Sequence, residues 1–205
     1  LLATPHSTES VMHTIRPITD HDIEPIRAIY NHYITSTSAS LESAPLGVVD
    51  LRQRVDALVD SGLPWLVAEA NGRTVGYAYG QQWHRRKGYR FTAEITVYVR
   101  RDQHGQGIGT ALYRELFGSL HRRGFVHAVA VITLPNSSSV ALHERLGMRH
   151  AGTLREIGYK FGQWVDVGYW QGTLTPGSGG AEGDDRSHGP FATAYQPCEP
   201  HYDHE

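Results

Sequence analysis

The chain has 205 residues, 40% of them hydrophobic and 20% charged, the balance of one soluble domain with a core and room for a tail. No stretch approaches the ~20 apolar residues of a membrane-spanning helix, and a single cysteine, Cys198, excludes an intrachain disulfide and fits a reducing cytoplasm. The net charge of −2 is uneven: residues 176–205 hold six acids against one base, Arg186, a net of −5 that leaves +3 for the rest, which does not announce nucleic-acid binding but suits a polyanionic small ligand.

Residues 1–11 lack the basic start and long apolar stretch of a secretory signal and read as an N-terminal extension. The folded part is expected to begin at Met12 with the strand-like MHTIRPI. RPITDHDIEPIRAIYNHYI predicts a helix, with Thr19 as N-cap, Asp22 three places on, and Ile23, Ile26, Ile29 and Tyr30 on one face. A second amphipathic helix is expected over residues 48–60 through Val48, Leu51, Val55, Leu58 and Val59, ended by Gly62 and Pro64. PWLVAEA and RTVGYAYGQQW flank Asn71-Gly72, a two-residue hairpin signal. YRFTAEITVYV reads as a long strand, followed by a helix from about residue 107 to 122, the buried strand VHAVAVIT, and a short helix in NSSSVALHERLG closed by Gly147. Strands near 150–158 and 164–171 complete an α+β domain over residues 12–175, and the Gly/Ser-rich, acidic residues 176–205 are expected to be a disordered tail.

Between the long strand and its helix lies RRDQHGQGIGTAL, residues 100–112, with glycine at 105, 107 and 109. An ordinary strand-to-helix turn needs one glycine. Three suggest close approach to bare peptide groups, and a helix start offers unpaired N–H groups and a positive dipole end to a phosphate. The spacing is neither the dinucleotide fingerprint nor a Walker loop. Main-chain N–H groups of Gly105, Gln106, Gly107, Ile108, Gly109 and Thr110 are therefore candidates to cradle a diphosphate.

Other candidates carry two readings each. Val97, Tyr98 and Val99 form a core strand or offer main-chain groups to an extended ligand. Glu94, between small and apolar neighbours, faces solvent by alternation or is a partly desolvated carboxylate able to take a proton from an amine. Asn136 caps the short helix or touches a cofactor. His143 is a surface or core histidine, or an acid or base. In WHRRKGYRFTAE the cations form a solvated hairpin end, or Arg86 grips a carboxylate or similar anion. The sequence carries no H-E-x-x-H motif and no paired cysteines, so no metal is expected.

The turn, with His104-Gly105-Gln106-Gly107-Ile108-Gly109, resembles the pyrophosphate loop of the GNAT acetyltransferase superfamily. RPITDHDIEPIRAIYNHYI, PWLVAEA, YRFTAEITVYV, AVITLPNSSSVALHERLGM and GTLREIGYKFGQWVDVGYWQ together resemble the phosphinothricin N-acetyltransferase family. That resemblance implies a mixed, twisted sheet flanked by helices and splayed between its fourth and fifth strands. It also implies acetyl-CoA as co-substrate, a homodimer, and acetylation of the α-amino group of phosphinothricin, methionine sulfone or methionine sulfoximine. It places the catalytic glutamate on Glu94 and a histidine on His143. Cofactor contacts fall on Val97, Tyr98, Val99, residues 105–110 and Asn136, and acceptor contacts on Arg86, Tyr89, Thr96 and Tyr98. The family pattern is departed from at His84, at Ser40-Leu41 and at Thr133, which bear on the acceptor. Another small amine as acceptor, or a non-catalytic acyl-CoA-binding module, are the alternatives.

Overall fold

A computed structural model describes residues 13–174; the expected N-terminal extension and acidic tail lie outside the described residues. In chain order the strands and helices are β1 (His13–Pro17), α1 (Ile23–Ser36), α2 (Val48–Asp60), β2 (Trp65–Ala70), β3 (Arg73–Gln82), β4 (Thr92–Val99), α3 (Ile108–Arg122), β5 (His127–Leu134), α4 (Ser137–Arg145), β6 (Arg149–Lys160) and β7 (Gln163–Thr173). The strands form one mixed sheet in the order β1-β2-β3-β4-β5-β7-β6. Every neighbouring pair is antiparallel except β4 and β5, which run parallel.

Strand alternation separates two cores. Leu66, Ala68, Ala93, Ile95, Ala128 and Ala130 face α3, whose Leu112, Tyr113, Leu116 and Leu120 are buried against them. Trp65, Val67 and Tyr77 face the other way and meet Ile23, Ile26 and Ile29 of α1 and Leu51 and Val55 of α2. On α2 the buried stripe is narrower than its sequence suggests: Val48 and Val59 are exposed, and Leu51 and Val55 carry the contact.

Local signals explain the boundaries. Asn71 and Gly72 both have positive φ, 51° and 70°, the geometry of a tight hairpin turn. Gly62 and Gly147 end α2 and α4 in the left-handed region, at φ 77° and 84°. At the start of α1 the expected cap takes a different form. A 3-10 turn over Asp20–Asp22 precedes the helix, and the Asp22 carboxylate accepts from both the N–H and the hydroxyl of Thr19, each at 2.8 Å. The same carboxylate accepts from Arg16 at 2.7 and 3.0 Å and from the Thr74 hydroxyl at 2.6 Å. Burial alone would raise its pKa, but these donors hold it well below the usual carboxylate range.

One feature of the sheet positions the site. The parallel ladder between β4 and β5 covers only Thr92–His127, Ala93–Ala128 and Glu94–Val129, whereas β4 stays paired with β3 from Ala93 to Val99. Beyond Glu94 the two strands part, as the family resemblance implied, and one edge of β4 has no neighbour in the sheet.

Candidate active site

The unpaired edge has a definite chemistry. In an antiparallel pair, alternate residues aim their main-chain groups at opposite sides. Thr92 O accepts from Trp83 and Arg100 N–H donates to Val75 O at 2.8 Å, so the even-numbered residues of β4 face β3. The N–H and C=O of Ile95, Val97 and Val99 therefore point into the gap beside β5. Tyr98 does not fit its expected main-chain role: its peptide groups face β3, and its side chain packs against Tyr30, Tyr33 and Tyr77.

The glycine turn sits at the open end of this gap. Gly105 and Gly107 have φ of 77° and 78°, a region side-chain-bearing residues rarely occupy. Gly109 is needed for a different reason: a Cβ there would lie 3.1 Å from a methyl of Leu142, so this glycine lets α4 pack closely on α3. Gly107 caps α3, and the first helical bond runs from Ala111 N–H to Gly107 O at 3.0 Å. The N–H groups of Ile108, Gly109 and Thr110 are left without helical partners, as an anion cradle requires.

At the other end of the gap Glu94 lies opposite Gln81 on β3. Glu94, Thr96 and Tyr98 share the sheet face that carries α1 and α2. Burial raises the Glu94 pKa above the ordinary 4.5, and a hydrogen bond with Gln81 partly offsets this. Beside it runs an aromatic floor: Trp65 stacks on Tyr79 at 4.3 Å, and Tyr98 lies 4.8 Å from Tyr33 and 5.2 Å from Tyr30. Burial pushes the Tyr79 phenol up to about 12, with the Thr96 hydrogen bond opposing it. The Tyr98 phenol, buried beside Tyr30 and Tyr79, is also held above its ordinary value, so these hydroxyls remain donors at neutral pH.

His143 is buried, with 3% of its surface exposed. Its Nδ1 lies 2.7 Å from the Ser139 carbonyl, which can only accept, so Nδ1 carries the proton. Nε2 then accepts from the Tyr113 hydroxyl at 3.0 Å. Burial lowers the His143 pKa, with the Ser139 bond opposing. Asn136 caps α4: its side-chain oxygen accepts from Ser139 N–H at 3.2 Å. Arg86 and Tyr89 lie on the exposed turn before β4, where Tyr89 packs 5.1 Å from His84. The structure thus gathers Glu94, Thr96 and Tyr98 along one strand face and places the glycine turn at that strand's end. Arg86 and Tyr89 stay on the exposed turn before β4, with no contact to Glu94 among the described residues, and His143 is enclosed between α3 and α4.

Comparison with known proteins agrees with this geometry. The family description "Acetyltransferase (GNAT) domain" matches residues 15–168. The chain belongs to the GNAT acetyltransferases. A phosphinothricin N-acetyltransferase of Streptomyces viridochromogenes is 43% identical over 157 residues, covering 77% of this chain and 85% of that protein. An L-methionine sulfoximine/L-methionine sulfone acetyltransferase of Pseudomonas paraeruginosa is 37% identical over 156 residues, covering 76% and 91%. A crystal structure of a GNAT superfamily phosphinothricin acetyltransferase from Sinorhizobium meliloti, in complex with AcCoA, superposes with a TM-score of 0.76 at 33% identity, covering 79% of this chain and 88% of that one.

The residues present fit the acetyl-CoA of this GNAT family. The left-handed glycines expose peptide N–H groups for a diphosphate, and beyond the short β4–β5 ladder the N–H and C=O of Val97 and the N–H of Val99 face the gap, open to an amide-bearing arm. Six side chains around the site were not read from the sequence as part of it: Tyr30, Tyr33, Trp65, Tyr79, Gln81 and Tyr113. The alternation in YAYGQ, which puts Tyr77, Tyr79 and Gln81 on one strand face, is a signal that finds two of them.

Proposed function

We propose that this GNAT enzyme acetylates the α-amino group of a small amino acid with a tetrahedral oxo group in its side chain, of the phosphinothricin, methionine sulfone or methionine sulfoximine kind. The observation that carries the reading is the unpaired β4 edge, which joins the glycine turn at one end to Glu94 at the other. Acetyl-CoA supplies the activated acetyl group when bound. The N–H groups of Ile108, Gly109 and Thr110, with Gln106 and the flanking glycines, hold the diphosphate, and Val97 and Val99 align the arm. Arg86 and Tyr89 receive the acceptor's anionic end at the rim, and Thr96 and Tyr98 line its path. Glu94, made more basic by burial, takes the ammonium proton directly or through water. A main-chain N–H of the same edge faces the charge that develops on the acetyl oxygen.

The resemblance assigns to His143 the return of a proton to the departing thiolate. Its engaged ring nitrogens favour a second reading, in which His143 holds Tyr113 in place. Replacement by glutamine separates the two: proton delivery predicts a loss in kcat, and a holding role predicts a lower Tm with kcat kept. Asn136, occupied as a cap, has its amide NH2 left to meet the coenzyme.

A homodimer is part of the proposal, supported by the exposed Ile157, Tyr159, Phe161 and Trp164 on the β6–β7 hairpin. A cytoplasmic location is proposed on the sequence's single cysteine; no helix among the described residues is long and apolar enough to cross a membrane. The test is a thiol-release assay with phosphinothricin, methionine sulfone, methionine sulfoximine and a polyamine. Turnover with the first three and not the polyamine is expected. Release with the polyamine alone would reassign the acceptor, and coenzyme binding with no release from any acceptor would make the chain a binding module.

A further inference from the structure

His104 opens the glycine turn, and its side chain bonds back to Tyr33 of α1 and to the end of β4. We propose that His104 and Tyr33 form a clasp on the Val99 carbonyl that fixes the mouth of the β4–β5 gap, so that His104 is a positioning residue for the coenzyme and Tyr33 ties the coenzyme turn to the acceptor-side helix. The proposal rests on the acetyl-CoA reading above.

The hydrogen-bond directions carry it. Because Arg100 N–H is spent on Val75 O, the Val99 carbonyl faces the gap. The Tyr33 hydroxyl donates to it at 2.6 Å. His104 Nε2 lies 2.8 Å from the Tyr33 oxygen and 3.0 Å from the same carbonyl. A carbonyl only accepts, and the phenol has one proton to give. A hydrogen on His104 Nε2, shared between the two oxygens, completes the set. Tyr33 is half-buried, and burial holds its phenol above the ordinary value against the opposing Val99 bond, so it stays a donor.

The turn needs such a fixed point. Gly105 and Gly107 provide no side chain to pack, and left-handed glycines leave the loop free to rearrange. Its far end is locked where Gly109 passes beneath Leu142. The clasp locks the near end. Tyr33 is also part of the aromatic floor, 4.8 Å from Tyr98, so the side chain that anchors the coenzyme turn also buttresses the acceptor pocket. Turn and pocket are thereby held in one geometry.

The experiment compares the full chain with His104→Ala, His104→Gln, Tyr33→Phe and the His104→Ala/Tyr33→Phe double variant, by acetyl-CoA calorimetry and steady-state kinetics. Each of His104→Ala and Tyr33→Phe should raise Kd and KM for acetyl-CoA about threefold to tenfold, the worth of one or two hydrogen bonds, with kcat changed less than twofold. The double variant should be no worse than the poorer single one, because both act through one unit. Glutamine at 104 should restore affinity, since its amide N–H can reach the same two oxygens. Wild-type affinity in His104→Ala, or losses that simply multiply in the double variant, overturns the clasp while leaving the acetyl-CoA reading intact. A wild-type chain that takes up no acetyl-CoA overturns both.

Discussion

Glu94 concentrates the chemistry in one side chain. Its burial raises the carboxyl pKa above 4.5, and a base works only when ionised. The rate should therefore fall as pH drops through that raised value, with the acid limb of kcat/KM, which reports the free enzyme, placed above pH 4.5. Glu94→Gln should lower kcat by about 10²–10⁴ and remove the limb from what activity remains; a pH–rate profile of both proteins checks this. The sequence made Glu94 conspicuous because it interrupts an apolar strand, but it could not say which face the side chain takes. That is decided by the register with Gln81, a contact between strands, and by α1 and α2 covering that face of the sheet, neither of which a local pattern encodes. His143 was legible in the same limited way. Its place on the helix is in the sequence, whereas the Tyr113 hydroxyl on its Nε2 comes from a helix thirty residues earlier.

At the scale of elements, punctuation residues made the chain readable. Asn71-Gly72, Gly62 and Gly147 set turns and ends where a left-handed backbone is required, and alternation or 3.6-residue spacing filled the spans between. The glycine turn was legible as a turn and less so as a mechanism, since Gly109 answers to Leu142 and not to backbone conformation. Gly107→Ala should raise KM for acetyl-CoA by roughly fivefold or more, because a methyl at positive φ costs on the order of 1–2 kcal/mol where the cradle must form. Titration of the variant with acetyl-CoA measures this. The start of α1 supports a separate prediction. Asp22 is 1% exposed and accepts from Arg16, Thr19 and Thr74, so Asp22→Ala should cost about 3 kcal/mol in urea unfolding, the cost of breaking a buried ionic network. The sign with pH follows from the lowered pKa. The contribution is present above the unfolded value near 3.8 and is lost as pH falls through the lower folded one.

Across the whole molecule, two surfaces have no role within one chain. The β6–β7 hairpin exposes Tyr159, Phe161 and Trp164 at 59%, 62% and 62%, a concentration of large apolar groups that marks an interaction surface. Phe161→Ser/Trp164→Ser should convert a dimer to a monomer in light scattering, while a wild-type chain that scatters as a monomer removes the dimer from the proposal. The other surface is the bare edge of β4. With three residue pairs joining β4 to β5, the sheet resembles two plates sharing a short hinge, braced from one side by α3. A molecule seated in the cleft would act as a keystone, completing with its own amides the ladder that the polypeptide abandons. Saturating coenzyme should then raise the melting temperature by mass action and slow deuterium uptake at the amides of Val97 and Val99, where the co-substrate takes the place of the neighbour that this stretch of β4 lacks.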